Sequence, residues 1–379
     1  DCKGKIILPS LFDINVHAHD PGQDAISNSA AAAIDGGVTA IVLMPNTTLA
    51  IDSGFLVETV LERGRNTPIE VIAAGAVTKG RGGEELASIA GMQKAGAPFL
   101  TDDDRPATNP QLLRRAMEYA RDFGLFFVSH CEVEELSNGG VMNEGKVSYE
   151  LGLAGIAAIS EEVCIERDLR IAQYTGSHVH VQHVSTQRGL SIIRRFKERG
   201  GKEGFRVTCE VSPHHLILNE SDIVDYDPNL KMNPPLRTKA DNQALLDGLN
   251  DGVIDVIATD HSPHSEFEKN TDFASAPFGV TGLETALPSL YDRFIQNDHL
   301  SWSAIVKHYS AEPRRLLGKE AVSIAKGQPA EFLVFDPSRK TRFTKDFMRG
   351  RAANTPFLDQ ELDGQVTEVV YGGNILISR

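Results

Sequence analysis

Asp13-Ile-Asn-Val-His-Ala-His-Asp-Pro-Gly22 closes the first apolar run of the chain, Ile6-Ile-Leu-Pro-Ser-Leu-Phe-Asp-Ile14. A strand over residues 11–19 repeats every two residues. It therefore turns Asn15, His17 and His19 to one side and Val16 and Ala18 to the other. Imidazoles two apart on a strand tip reach a common metal ion, while a polar strand end facing water is the plainer reading of the same spacing. The remainder of the chain decides between them.

After this stretch an Ala-rich helical segment, Ile26–Asp35, stops at Gly36-Gly37 and gives way to the short apolar strand Thr39-Ala-Ile-Val-Leu-Met-Pro45. Strand, helix and strand make one crossover unit. The pattern recurs through apolar runs at 69–77, 98–103, 125–131, 178–185, 207–212 and 253–260. Eight strands alternating with helices predict an α/β fold closed as a (β/α)8 barrel. A doubly wound open sheet is the competing architecture, but no Gly-x-Gly-x-x-Gly opens a helix after any strand. Polar residues cluster at the strand ends: Asn15 and His17 on the first, Asn46 after the second, Asp103 on the fourth, His130 on the fifth, His183 on the sixth and Asp260 on the eighth. Barrel enzymes build their sites at that rim. Any one of these residues also serves as a helix cap or a hydrogen-bonded core group, but five His and Asp side chains at one rim point to a site.

The 379 residues are 41% apolar and carry a formal charge of −14, which suits a globular chain and argues against a nucleic-acid or anionic-membrane surface. Cys2, Cys131, Cys164 and Cys209 show no C-x-x-C spacing and read as reduced thiols of a cytoplasmic protein. No 18-residue apolar run or basic-then-apolar leader is visible, so neither a membrane span nor a signal peptide is expected. The chain opens at Asp1 without an initiator methionine, and a missing upstream segment is expected. From about Gly318 the texture changes to alternating strands such as Glu331–Asp336 and Val366–Ile377. The expected division is a barrel over 11–318 and a small β-sandwich-like domain built from 1–10 and 319–379, incomplete at its N-terminus.

His17, Asp103, His130, His183 and Asp260 are the ligand types of zinc, and a carboxylate can bridge two ions. One Zn2+ would be held by His17, Asp103 and Asp260 and a second by Asp103, His130 and His183. Such ions make hydroxide available near neutral pH.

With these residues stand Met44-Pro-Asn-Thr47, Thr101-Asp-Asp103, His130-Cys-Glu132, Gly140-Val-Met-Asn-Glu-Gly145, His183-Val-Ser-Thr186, Lys231-Met-Asn-Pro-Pro-Leu-Arg237, Ala258-Thr-Asp-His-Ser-Pro-His264, Ala276-Pro-Phe-Gly279 and Asn354-Thr-Pro-Phe357. Over nearly its whole length the chain resembles the dihydroorotases of the amidohydrolase superfamily, in the branch with an aspartate in place of a carboxylated lysine. The resemblance implies a metal-dependent (β/α)8 barrel with an accessory β domain, and reversible closure of N-carbamoyl-L-aspartate to L-dihydroorotate in pyrimidine synthesis. It places the metal bridge on Asp103 and the proton shuttle on Asp260. Substrate binding falls to Asn46, Asn233, His264 and the backbone around Phe278 and Gly279. The polar stretch 265–276 would act as a lid. His178, His180 and His214-His215 are assigned no metal role, and His261 is expected behind the ligands.

The departure lies in the opening stretch. Family members read His-x-His-x-Arg there; in ungapped register a metal-binding His is replaced by Asn15 and a substrate-binding Arg by His19. An amide oxygen is a poorer zinc ligand than imidazole, so Asn15 is a weak ligand at best. Histidine lacks the fork with which Arg grips a carboxylate. A shifted register pairs His17 with His19 but requires a two-residue deletion, whereas Asp13, Pro21 and Gly22 align without one. Three readings follow: an active dihydroorotase with an altered first metal position, as a homodimer; an impaired dihydroorotase-like subunit supporting a partner such as aspartate transcarbamoylase; or another cyclic-amide hydrolase, a hydantoinase or allantoinase.

Overall fold

The computed structural model describes residues 2–20 and 22–379. Asp1 and Pro21, one anchor of the ungapped register, lie outside the described residues. The strands run β1 (Ile6–Pro9), β2 (Leu11–Val16), β3 (Val38–Leu43), β4 (Glu70–Ala73), β5 (Phe99–Leu100), β6 (Phe126–Ser129), β7 (Met142–Asn143), β8 (Gly155–Ile156), β9 (His178–Val181), β10 (Arg206–Val211), β11 (Val256–Ile257), β12 (Phe332–Arg342), β13 (Glu361–Tyr371) and β14 (Asn374–Ser378).

Strands β2, β3 and β4 pair in parallel, as do β11, β10, β9, β6 and β5 in that order. Parallel bridges from Gly75 to Leu100 and from Val16 to His261 join the two sheets at both edges. The eight strands thus close a barrel, as the alternation predicts. Helices fill the crossovers for local reasons. Asn109 accepts from the backbone N–H groups of Gln111 and Leu112 at the head of Pro110–Asp122, supplying a cap before a proline preset for the first turn. Leu113, Ala116, Met117 and Ala120 then form one buried face at helical spacing.

Alternation along the strands sorts the core. Leu11, Ile41, Leu43, Val71, Phe127, Val179, Val181 and Val211 belong to the cluster that packs under the helices. Phe12, Ile14, Ala40, Val42, Ile72, Phe99, Phe126 and Val256 form a second cluster that fills the barrel, its Phe99 and Phe126 rings 5.1 Å apart. The β9–β10 side of the interior is polar: His180 bonds Glu210 (3.1 Å) and Thr208 (2.9 Å).

In β2 the register against β3 shifts between Asp13 and Val16, three residues facing two. This bulge breaks the strict period of two expected across residues 11–19. Ile14 joins the interior cluster and Val16 the outer one, so the extra residue re-aims Asn15 and His17 to the inside.

Beyond the barrel, β1 pairs with β12, β12 with β13 and β13 with β14, all antiparallel. The expected sandwich-like unit is, among the described residues, this single four-stranded sheet. The single run expected over Val366–Ile377 is split between β13 and β14 because Gly372 and Gly373 turn at positive φ. No helix among the described residues is long and apolar enough to cross a membrane.

Candidate active site

A cleft of about 800 Å³ opens at the carboxyl ends of the barrel strands. His17, Asp103, His130, His183 and Asp260 all line it, with His19, Asn46, Asn233, Phe278 and Gly279. His17 sits just past β2; its Nε2 lies 2.8 Å from Asp260 Oδ1, and its Nδ1 lies 2.9 Å from Asn46 Oδ1 and 3.5 Å from Asp103 Oδ2. Across the cleft His130 Nδ1 lies 3.0 Å from His183 Nε2. Asp103, His183 and Asp260 adopt positive φ, at 54°, 29° and 52°. Left-handed backbone in non-glycine residues is costly and gathers at functional sites. Here it turns each side chain in just after its strand ends.

The neighbouring Asp102 does a different job. Its carboxylate accepts from the N–H groups of Val77 (2.9 Å) and Thr78 (3.0 Å) and from Thr78 Oγ1 (2.5 Å). It anchors the loop from which Asp103 projects.

Electrostatics tie the cluster together. Burial alone would lower His17, but the Asp103 charge and the Asp260 hydrogen bond and charge outweigh it, lifting the imidazole to about 10. Burial raises Asp260, with His17 pulling the other way. Burial also opposes ionisation of Glu132, yet the bond and charge of His130 hold its carboxyl at about 2. Glu132 Oε2 lies 3.1 Å from His130 Nε2 and accepts from Asn233 Nδ2 at 2.8 Å. Asn233 thus holds Glu132, and Glu132, two residues past a strand ligand, is a site residue that sequence reasoning missed. Its only sequence signal was its place in His130-Cys-Glu132.

Other assignments are placed as follows. Asn15, fully buried, donates Nδ2 to Glu210 Oε1 at 2.8 Å and leaves Oδ1 without a hydrogen-bond partner. His19 is stacked on His17 (5.9 Å) and lies against the tilted ring of His264 (4.9 Å), with Nε2 3.0 Å from Ser262 Oγ. His264 Nε2 donates to the Phe278 carbonyl at 2.8 Å, while Asn354 Oδ1 holds its backbone N–H. Gly279 has φ +111°, and a Cβ there would meet Ser262 Oγ at 2.4 Å; only glycine permits this close approach. His178 bonds Thr208, His215 bonds Ser212 and the Pro234 carbonyl, and His261 Nδ1 accepts from Gly282 and Leu283 N–H, all away from the cleft. Within 265–276 only the short helix Glu266–Lys269 is regular, and Phe267 on it is 91% exposed.

The donors suit a cation. Glu132 can only accept, so His130 carries its proton on Nε2 and turns a lone pair toward His183. His17 sets Nδ1 against Asn46 Oδ1 and Nε2 against Asp260 Oδ1, two acceptors. Asp103 Oδ2 and His183 Nδ1 are buried with no hydrogen-bond partner, the condition an ion relieves. A tighter donor group among the described residues, Cys131, Cys164 and Asp168, already has Arg167 Nε 2.7 Å from Asp168 Oδ1 and Nη2 3.4 Å from Cys164 Sγ. A guanidinium occupies the cation's place there.

Among solved structures, the chain superposes on an L-hydantoinase (dihydropyrimidinase) from Arthrobacter aurescens with a TM-score of 0.84 at 23% identity, covering 100% of this chain and 86% of that one. A D-hydantoinase gives 0.83 at 18%, with the same coverage. At such identities the likeness is one of fold. Barrel, added sheet and a rim of imidazoles and carboxylates define a cyclic amide hydrolase of the amidohydrolase class. Residues 4–189 match a family described as dihydro-orotase-like. The chain is 40% identical over 380 residues to the dihydroorotase of Pelotomaculum thermopropionicum, covering 100% of this chain and 88% of that protein. It is 38% identical over 380 residues to that of Aquifex aeolicus, covering 99% and 88%. The chain belongs to the dihydroorotase family.

Proposed function

We propose that this chain is a dihydroorotase of pyrimidine biosynthesis, opening the ring of L-dihydroorotate to N-carbamoyl-L-aspartate and closing it again, in the cytoplasm and as a homodimer. The observation that carries this reading is the convergence of His17, Asp103, His130, His183 and Asp260 in one cleft. His17, Asp103 and Asp260 would hold one Zn2+, with Asn15 Oδ1 as a weak neutral donor, and Asp103, His130 and His183 a second. Zinc, when bound, supplies Lewis acidity and a water deprotonated near neutral pH.

Asp260 takes the proton of the attacking water and returns it to the ring nitrogen as the amide bond breaks. Burial, which raises this carboxyl, suits it to both steps. Asn46, Asn233, His19, His264 and the backbone of Phe278 and Gly279 orient the ring. Glu132, bonded to both His130 and Asn233, links ligand to substrate wall.

A second reading draws on Asn15, whose amide is committed to Glu210: a subunit with a weakened first position that supports a partner such as aspartate transcarbamoylase. Metal analysis of the purified protein together with a dihydroorotate hydrolysis assay separates the two. Two zincs with turnover support the first; one or none without turnover supports the second. Turnover of hydantoin or allantoin alone would overturn both.

A further inference from the structure

Dihydroorotate carries a carboxylate outside the ring that reacts, and a cleft that selects it needs a cation placed for that group. The cleft offers two arginines among the described residues, Arg81 and Arg105. Arg81 is committed: its Nη1 and Nη2 both donate to Asp104 Oδ1 at 2.7 Å, and the side chain is 7% exposed. Arg105 is exposed and has no ion pair or side-chain hydrogen bond among the described residues. The acids lining the same cleft are Asp103, Asp260 and Glu132, each set against a histidine, Asp104, which Arg81 neutralises, and the exposed Glu84 and Glu134.

The loop that presents Arg105 is built in advance. Asp102 pins it to Val77 and Thr78, the Arg105 N–H bonds the Asp102 carbonyl at 3.3 Å, and the Arg81–Asp104 pair clamps the next residue. Asp103 leaves the same loop toward His17. One loop therefore carries both a proposed metal bridge and an unspent guanidinium.

We propose that Arg105 binds the substrate carboxylate and sets the preference of this site for an acidic over a neutral cyclic amide. The inference rests on the dihydroorotase reading and adds the residue that selects the substrate. A planar fork matches a carboxylate through two parallel bonds, which a lysine cannot reproduce.

The test compares kcat/KM for dihydroorotate with that for dihydrouracil, the same ring without the carboxylate; if dihydrouracil is not turned over, its inhibition constant replaces kcat/KM. In Arg105→Ala the ratio favouring dihydroorotate falls about 10- to 100-fold. In Arg105→Lys it falls less, and the remaining preference weakens with added salt. A merely structural role would lower both substrates together and leave the ratio unchanged. Where the wild type hydrolyses dihydroorotate, an unchanged ratio in Arg105→Ala overturns the role of Arg105 alone. A wild type that neither binds nor hydrolyses dihydroorotate overturns the functional reading and this inference with it.

Discussion

His17 and Asp260 lie 2.8 Å apart across 243 residues of sequence, and the proposed chemistry depends on what that carboxylate does with a proton. Asp260→Asn keeps an oxygen for a cation but removes the base. The expected result is a loss of turnover of about 10²- to 10⁴-fold with metal content largely retained; activity near wild type would reassign the shuttle. Asn15→His tests the opposite defect. An imidazole beside Glu210 supplies the stronger zinc ligand, so tighter zinc binding is expected, measured by competition with a chelator. His17, Asp103, His130, His183 and Asp260 were legible because each stands at a strand end with the side chain zinc chemistry requires. Glu132 and Ser262 were not, since past a strand end the period of two carries no information. Parity also misleads at His183. Val179 and Val181 pack outward, so an odd-numbered residue on an unbroken strand would follow them, but φ of 29° turns His183 to the cleft.

The elements themselves were largely legible, because apolar runs of four to eight residues between Ala-rich or amphipathic helices leave few alternatives to a closed parallel barrel. Their limits were not. Two of the eight barrel strands, β5 and β11, keep only two ladder residues, their neighbours being drawn into loops that serve the cleft. β7 and β8, two residues each, are too short to show a period. The bulge in β2 needs a partner strand to exist, and no single-strand pattern announces it. The loop after β5 is where an element-scale prediction bites. Asp102 is 3% exposed and satisfies the N–H groups of Val77 and Thr78. Asp102→Ala leaves both donors buried and unpaired, at a cost of about 2–5 kcal/mol. Urea denaturation should show that loss, and zinc affinity should fall with it because Asp103 leaves the same loop. Unchanged stability would mean that water or a shifted loop replaces the carboxylate.

Between barrel and added sheet lies a charged seam with two buried acids that no local pattern foretold, its members drawn from residues 35, 284, 349 and 379. Asp35 takes Arg349 at 3.3 Å and Arg379 at 2.8 Å. Glu284, 2% exposed, accepts the Gly350 N–H at 3.1 Å through Oε1, and its Oε2 has no hydrogen-bond partner. Burial pushes the Glu284 carboxyl up to about 8; the Gly350 bond pulls it down, and the Asp35 charge adds to the rise. An acid whose pKa is higher folded than unfolded holds its proton longer in the folded state. Its contribution is complete below the unfolded value near 4.5 and is lost as pH rises to about 8. The slope in that window is about 1.4 kcal/mol per pH unit. Glu284→Gln preserves an acceptor for Gly350 and removes the titration. Its stability relative to wild type should therefore rise with pH between 5 and 8, by up to a few kcal/mol, and level off above 8. A constant offset across that range would show only the cost of a buried amide, and a relative stability of the variant that falls as pH rises would reverse the assigned sign. Thermal melts of both proteins at half-unit steps of pH decide it.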